Sequence, residues 1–123
     1  MAVQRQVGAF TDAKPSATDL KGKDGRFAKR VAGGLDVCGL GEQPAGVISE
    51  GKEVGLHTSI NTGNQIKVLA GAAIAIDDKI SSAADGRARV AAAGHYVYGN
   101  AISAAAAGEF VEFEVTNEGV LAA

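Results

Sequence analysis

The sequence has no tryptophan, one cysteine, one methionine and two prolines, and aromatic residues make up 5% of its 123 residues. Each shortage closes something off. With Cys38 alone, neither an intrachain disulfide nor a thiolate metal cluster can form. Two tyrosines and four phenylalanines are too few for a base-stacking platform. No apolar run reaches the ~20 residues that span a bilayer, and Met1-Ala2-Val3-Gln4-Arg5 leads into no apolar stretch. Neither a membrane span nor a signal peptide is therefore expected, and a reducing cytoplasm is the expected place of synthesis. The motifs HExxH, GxSxG and CxxC are also missing.

What the chain does contain is small. The apolar fraction is 46%, much of it alanine, and there are seventeen glycines. Such a composition predicts many turns, a core thin in large side chains, and a single domain that gains stability by burying surface against copies of itself or a larger partner. Net charge is −2, so charge alone does not make it a nucleic-acid binder. The distribution is uneven. Residues 1–30 carry seven bases against three acids, and the remainder five bases against eleven acids. A basic leading segment on an acidic body can meet an acidic surface, although solvated charge is the plainer reading.

Alternation of period two recurs along the chain and predicts a mainly β fold. Residues 1–23 read as an extended arm with Val3, Val7 and Phe10 as apolar anchors, able to pair as an edge strand with a partner. Residues 24–115 read as the compact β domain. Phe27 and Val31 share a face, as do Leu35 and Val37. Val54, Leu56, Thr58 and Ile60 are expected inward, Ile66 and Val68 share a face, and so do Ile74 and Ile76. Ala84-Asp85-Gly86-Arg87 is a hairpin turn. Ala104–Ala107 has room for one helical turn ended by Gly108. Val111, Phe113 and Val115 face in while Glu112 and Glu114 face out, and residues 116–123 read as a short tail. Asp24-Gly25-Arg26 recurs as Asp85-Gly86-Arg87. Gly46-Val47-Ile48-Ser49, Gly51 and Val54–Ile60 are echoed by Gly99–Ser103, Gly108 and Phe110–Val115. This echo is either a duplication or the common grammar of strand-turn-strand units.

Chemistry is hard to place. Cys38, His57 and His95 form the minimal Cys-His set of a thiol enzyme, but Gly39-Leu40-Gly41 gives the cysteine no activating context, and structural roles are expected. The same GxG is followed by no helix, so phosphate-binding readings fail. Asp77, Asp78 and Asp85 match no calcium loop and suit turns. Glu112 and Glu114 lie on a solvent face, away from acid-base work. Tyr96 and Tyr98 suggest a packed pair at a subunit or partner contact. No catalytic, cofactor-binding or metal residue is assigned, and an enzyme is not expected.

The order of segments resembles the small capsid cement (decoration) proteins of tailed phages. It is carried by Asp19-Leu20-Lys21-Gly22-Lys23 with Arg26-Phe27-Ala28-Lys29, and by Gly41–Ile48 running on to Gly51-Lys52-Glu53-Val54. Lys67–Ile74, Asp85-Gly86-Arg87 and Tyr98–Phe113 continue it, so that it covers roughly residues 19–115. Ile76-Asp77-Asp78 departs from the Gly-Asp turn that the family pattern expects. The resemblance implies a β-tulip-like or β-barrel-like single domain on the outer face of a virion head, commonly a homotrimer, binding the major capsid protein and stabilising the expanded shell. It implies no nucleic-acid or membrane partner and no cofactor. The rivals are a small carbohydrate- or host-surface-binding β module, which needs an exposed aromatic cluster, and a metal-dependent sugar-acid enzyme domain using the histidines.

Overall fold

The computed structural model describes residues 11–122; Val3, Val7 and Phe10 lie outside the described residues. Ten antiparallel strands follow one another: β1 (Thr11–Pro15), β2 (Phe27–Val31), β3 (Gly34–Val37), β4 (Gly46–Glu50), β5 (His57–Asn61), β6 (Gln65–Leu69), β7 (Lys79–Ser82), β8 (Ala88–Val90), β9 (Tyr96–Ala101) and β10 (Phe110–Val120). No helix occurs among the described residues. The mainly β expectation holds.

The strands form two five-stranded sheets, in the orders β1-β5-β4-β2-β3 and β6-β10-β9-β7-β8. Adding five to each label turns the first order into the second. The correspondence extends to single residue pairs. Val47↔Asn61 and Ile48↔Ile60 recur as Asn100↔Glu114 and Ala101↔Phe113. Ala28↔Val37 and Arg30↔Leu35 recur as Ile80↔Val90 and Ser82↔Ala88, and Pro15↔His57 recurs as Leu69↔Phe110. A parallel bridge closes each sheet toward a small barrel, Ser16↔Leu35 in the first and Ala70↔Ala88 in the second. The chain is a tandem repeat of one five-stranded unit, with matched residues 52 to 54 positions apart.

The repeat explains why the echo was faint. What both copies keep is backbone necessity. A Cβ on Gly46 would sit 2.6 Å from the Asn61 carbonyl oxygen, and one on Gly99 would strike the matching oxygen of Glu114. Side chains elsewhere have diverged. The two Asp-Gly-Arg turns are not equivalents, because one precedes β2 and the other β8. They touch instead: Arg26 Nη1 donates to the Asp85 oxygen at 3.3 Å and Phe27 N to the Gly86 oxygen at 2.7 Å. The true counterpart of Gly25 is Asp77. Each donates its N–H to a strand carbonyl (Ile48, Ala101) at 2.8 Å, and both have positive φ, 85° and 74°.

Several boundaries differ from the sequence reading. Residues 1–23 are not an arm throughout, since β1 pairs along its length with β5 and Leu20 is fully buried. Thr11-Asp12-Ala13-Lys14-Pro15 shows no apolar alternation because backbone pairing, not side-chain burial, holds it. Residues 116–123 are not simply a tail, because β10 bulges after Val115 and then pairs Gly119 and Val120 with β9. Val54 and Leu56 are exposed, lying in a turn that ends where β5 begins. Ile76 is exposed, although Ile74 is buried. Ala104–Ala107 makes no helical turn; Ala105 bridges Ile74.

Each half has its own interior, of unequal weight. The first holds Leu20, Ala28, Leu35, Ile48 and Ile60. The second is larger and takes Phe27, Cys38 and Val47 from the first half. Phe27 stands edge-on to Tyr98 at 5.6 Å and to Phe113 at 5.8 Å. This is why Phe27 and Ala28, on opposite faces of β2, are both buried: one faces the other half and one faces its own. Such aromatic pairs add about 0.5–1.5 kcal/mol beyond area burial.

Where the second half buries Ala70 and Val111, the first buries the hydroxyls of Ser16 and Thr58. Lys52 N donates to Thr58 Oγ1 at 2.9 Å, and Ser16 Oγ donates to the Leu56 oxygen at 2.8 Å. Thr58 therefore supplies the proton of the 2.6 Å Ser16–Thr58 contact. Thr58→Val, although it copies Val111, is expected to cost about 1–3 kcal/mol by cutting this chain in the middle. Denaturant unfolding checks it, with a lowered midpoint at unchanged m-value as the expected result.

Candidate partner-binding surfaces

Cys38, His57 and His95 do not assemble into a hydrogen-bonded site. Cys38 follows β3, is fully buried, and donates from Sγ to the Glu42 oxygen at 3.5 Å. Burial pushes its thiol up to about 11, so it holds no thiolate at neutral pH. His57 begins β5 and is exposed. His95 caps the loop before β9: its Nδ1 accepts from Ala92 N at 3.2 Å and lies 3.3 Å from Ser81 Oγ. An accepting Nδ1 leaves Ser81 as the donor.

The repeat shows that this histidine has a structural task. At the matching loop, Glu42 Oε1 accepts from Gly39 N at 2.6 Å and from Lys29 Nζ at 2.8 Å. Lys29 holds the Glu42 carboxyl below the ordinary carboxylate range. Glutamate–lysine in one half and histidine–serine in the other secure the same turn. No cluster of three or more His, Cys, Asp or Glu able to hold a metal is gathered among the described residues. Asp78 Oδ2 accepts from Ala75 N at 2.8 Å and Asp85 Oδ1 from Arg87 N at 3.1 Å, both ordinary turn contacts. The tyrosines do not form an exposed pair: Tyr98 is buried against Phe27 and Phe113, and Tyr96 donates its hydroxyl to Asn117 Oδ1 at 3.0 Å.

What the fold offers instead is surface. A groove of about 450 Å³ runs between the halves, with Val47, Ile48 and Asn61 on one side and Ile66, Lys67 and Phe110 on the other. Phe110 is 54% exposed beside this groove and packs over Gly25, where a Cβ would lie 2.8 Å from its ring. It is the one phenylalanine among the described residues left largely in solvent. Its signal in the sequence was the doublet Phe110-Val111, which breaks the alternation of β10. Further apolar side chains stand out at Leu40, Val54, Leu56, Ile76 and Ile102.

Two outcomes follow for Cys38. A thiol reagent is expected to leave it untouched in the native protein and to modify it in denaturant. Its raised value also sets a pH dependence. Unfolded protein releases this proton near the ordinary thiol value of 9.0 and folded protein only at about 11, so its contribution to stability is present below 9 and is lost as pH rises through that window. A Cys38→Ser comparison of unfolding midpoints from pH 8 to 11 isolates the effect.

No protein-family model matches the chain, and no curated protein matches it. Among solved structures, the head fiber gp8.5 N base in bacteriophage phi29 is similar, with a TM-score of 0.75 and 18% sequence identity over 92% of this chain and 98% of that one. At that identity the likeness establishes a shared fold, both five-stranded units included.

Proposed function

We propose that this chain is a phage virion structural protein, a capsid cement or decoration protein that binds the outer surface of the major capsid protein shell and stabilises the expanded head. The carrying observation is the fold shared nearly end to end with the base of a phage head fibre. The segment order that resembles cement proteins supports the same reading. So does the largely exposed Phe110 beside an open groove. On this reading the protein is made in the host cytoplasm, acts without cofactor or catalysis, and has the major capsid protein and its own copies as partners, as a homotrimer on the shell.

Shell binding suits a thin-cored protein. Each copy adds few contacts, but any partner that binds only the folded state stabilises it by mass action. Val3, Val7 and Phe10, read from the sequence as partner contacts, belong to this proposal as apolar anchors toward a neighbour.

Co-sedimentation with expanded, undecorated shells tests the function. Saturable binding with added resistance of the shell to heat is the expected result, and failure to bind any shell of the matching phage overturns it. Deleting residues 2–10, which leaves β1 whole, is expected to lower occupancy at least ~10-fold, as loss of about 1.4 kcal/mol or more would. Unchanged occupancy would remove the arm from the mechanism.

A further inference from the structure

The second unit has a sheet edge that its own strands leave open. The strand β6 stands at the end of its sheet and pairs on one side only, with β10. Ala70 N donates to the Glu109 oxygen and Val115 N to the Asn64 oxygen, each at 2.8 Å. In that register Ile66 and Val68 also bond to β10, whereas Gln65, Lys67 and Leu69 turn their main-chain groups the other way. Leu69 is taken, because its N–H donates to the Gly25 oxygen at 2.7 Å. Gln65 and Lys67 are not: among the described residues no backbone bond reaches them on that side.

This open edge lies in the groove between the units. Gln65 and Lys67 line it, and Val47, Ile48, Ile66 and Phe110 give it apolar walls. Unpaired main-chain donors and acceptors beside apolar side chains suit an added strand, with ladder bonds along the edge and walls for alternate side chains. The surrounding charge narrows the choice of strand. Glu112 and Glu114 stand opposite Lys67 and Gln65 on β10, and Asp24 lines the groove, so the acids outnumber Lys67. A basic segment without acids fits such a rim.

We propose that this edge takes residues 3–10 of a neighbouring copy as an added strand. The inference rests on the self-association proposed above and names the surface that Val3, Val7 and Phe10 meet. Residues 1–10 carry Arg5 and neither an acid nor a proline, so nothing in them is repelled by the rim or interrupts a ladder. Thr11 pairs with Asn61, which lines the groove, so each copy holds donor segment and acceptor edge at one place on its surface. A copy's own segment leaves on the wrong side, because β5 stands between β1 and the β4 wall. A neighbour's segment enters from solvent. Each copy then gives one segment and takes one, an exchange that rotational symmetry closes.

The chain lacking residues 2–10 keeps β1 and offers the acceptor without the donor. After its unfolding midpoint confirms that it folds, it is mixed with a synthetic peptide of residues 1–10 at about 1 mM, a concentration suited to weak contacts. The Lys67 amide is expected to exchange roughly ten-fold more slowly, while that of Val68, which bonds to β10 in either state, is unchanged. A peptide carrying Arg5→Glu is expected to give about a five-fold smaller effect. The full chain supplies a second measurement that needs no deletion, in which Lys67 protection rises with protein concentration. Unchanged exchange at Lys67 in the presence of the peptide overturns the proposal. So does protection in the full chain that is independent of concentration, which would put a copy's own segment in the groove. No shell enters either measurement, so binding to shells without any effect at Lys67 overturns this inference and leaves the functional one standing.

Discussion

The insertion of Phe27 between Tyr98 and Phe113 is the contact on which the rest of this structure depends. The first unit's own interior contains five buried residues, one of them alanine. That is too little apolar volume to hold a barrel closed unaided. By sending Phe27, Cys38 and Val47 into the second unit's interior, the first unit shares a larger core. The second unit gains as well, because without Phe27 the edges of Tyr98 and Phe113 would face a void. The scarcity of aromatic residues makes the arrangement economical: three of the six meet at one point.

Much of the fold was legible where one face of a strand is buried and the other wet. Ile66 and Val68 on β6, and Val111 and Phe113 on β10, show the period of two because the barrel interior lies on one side only. The strand β1 was not legible, because its counterpart positions to Ile66 and Val68 are Asp12 and Lys14, and its place is kept by main-chain pairing to β5 and by the Ser16–Thr58 hydroxyls. Alternation overreached at Val54 and Leu56, where apolar residues occupy a turn. The Asp-Gly-Arg repeat misled for another reason: turn chemistry recurs wherever a tight reversal is needed, whereas the true counterpart of Gly25 had become Asp77.

The candidate site was legible mainly as a lack. Cys38 and His95 were suitable residue types for chemistry, and only geometry shows the thiol buried and the imidazole capping a loop. The exposure of Phe110 beside the groove depends on long-range packing, which local sequence does not report. Positions that both units keep serve the unit itself, and positions where they differ record what each faces: the other half, solvent, or, on the functional reading proposed here, a neighbour on the shell.

Through the Phe27 contact the two repeated units form one cooperative body. Native-state hydrogen exchange tests it most directly, residue by residue. The amides of Leu69, Gly41 and Tyr96, which bond across the junction, are compared with those of Val111 and Phe113 inside the second unit. Both sets are expected to open only in global unfolding, with the same free energy and the same denaturant dependence. Junction amides that exchange at much lower free energy, while the second unit's interior stays protected, would show that the units separate before they unfold and would contradict it.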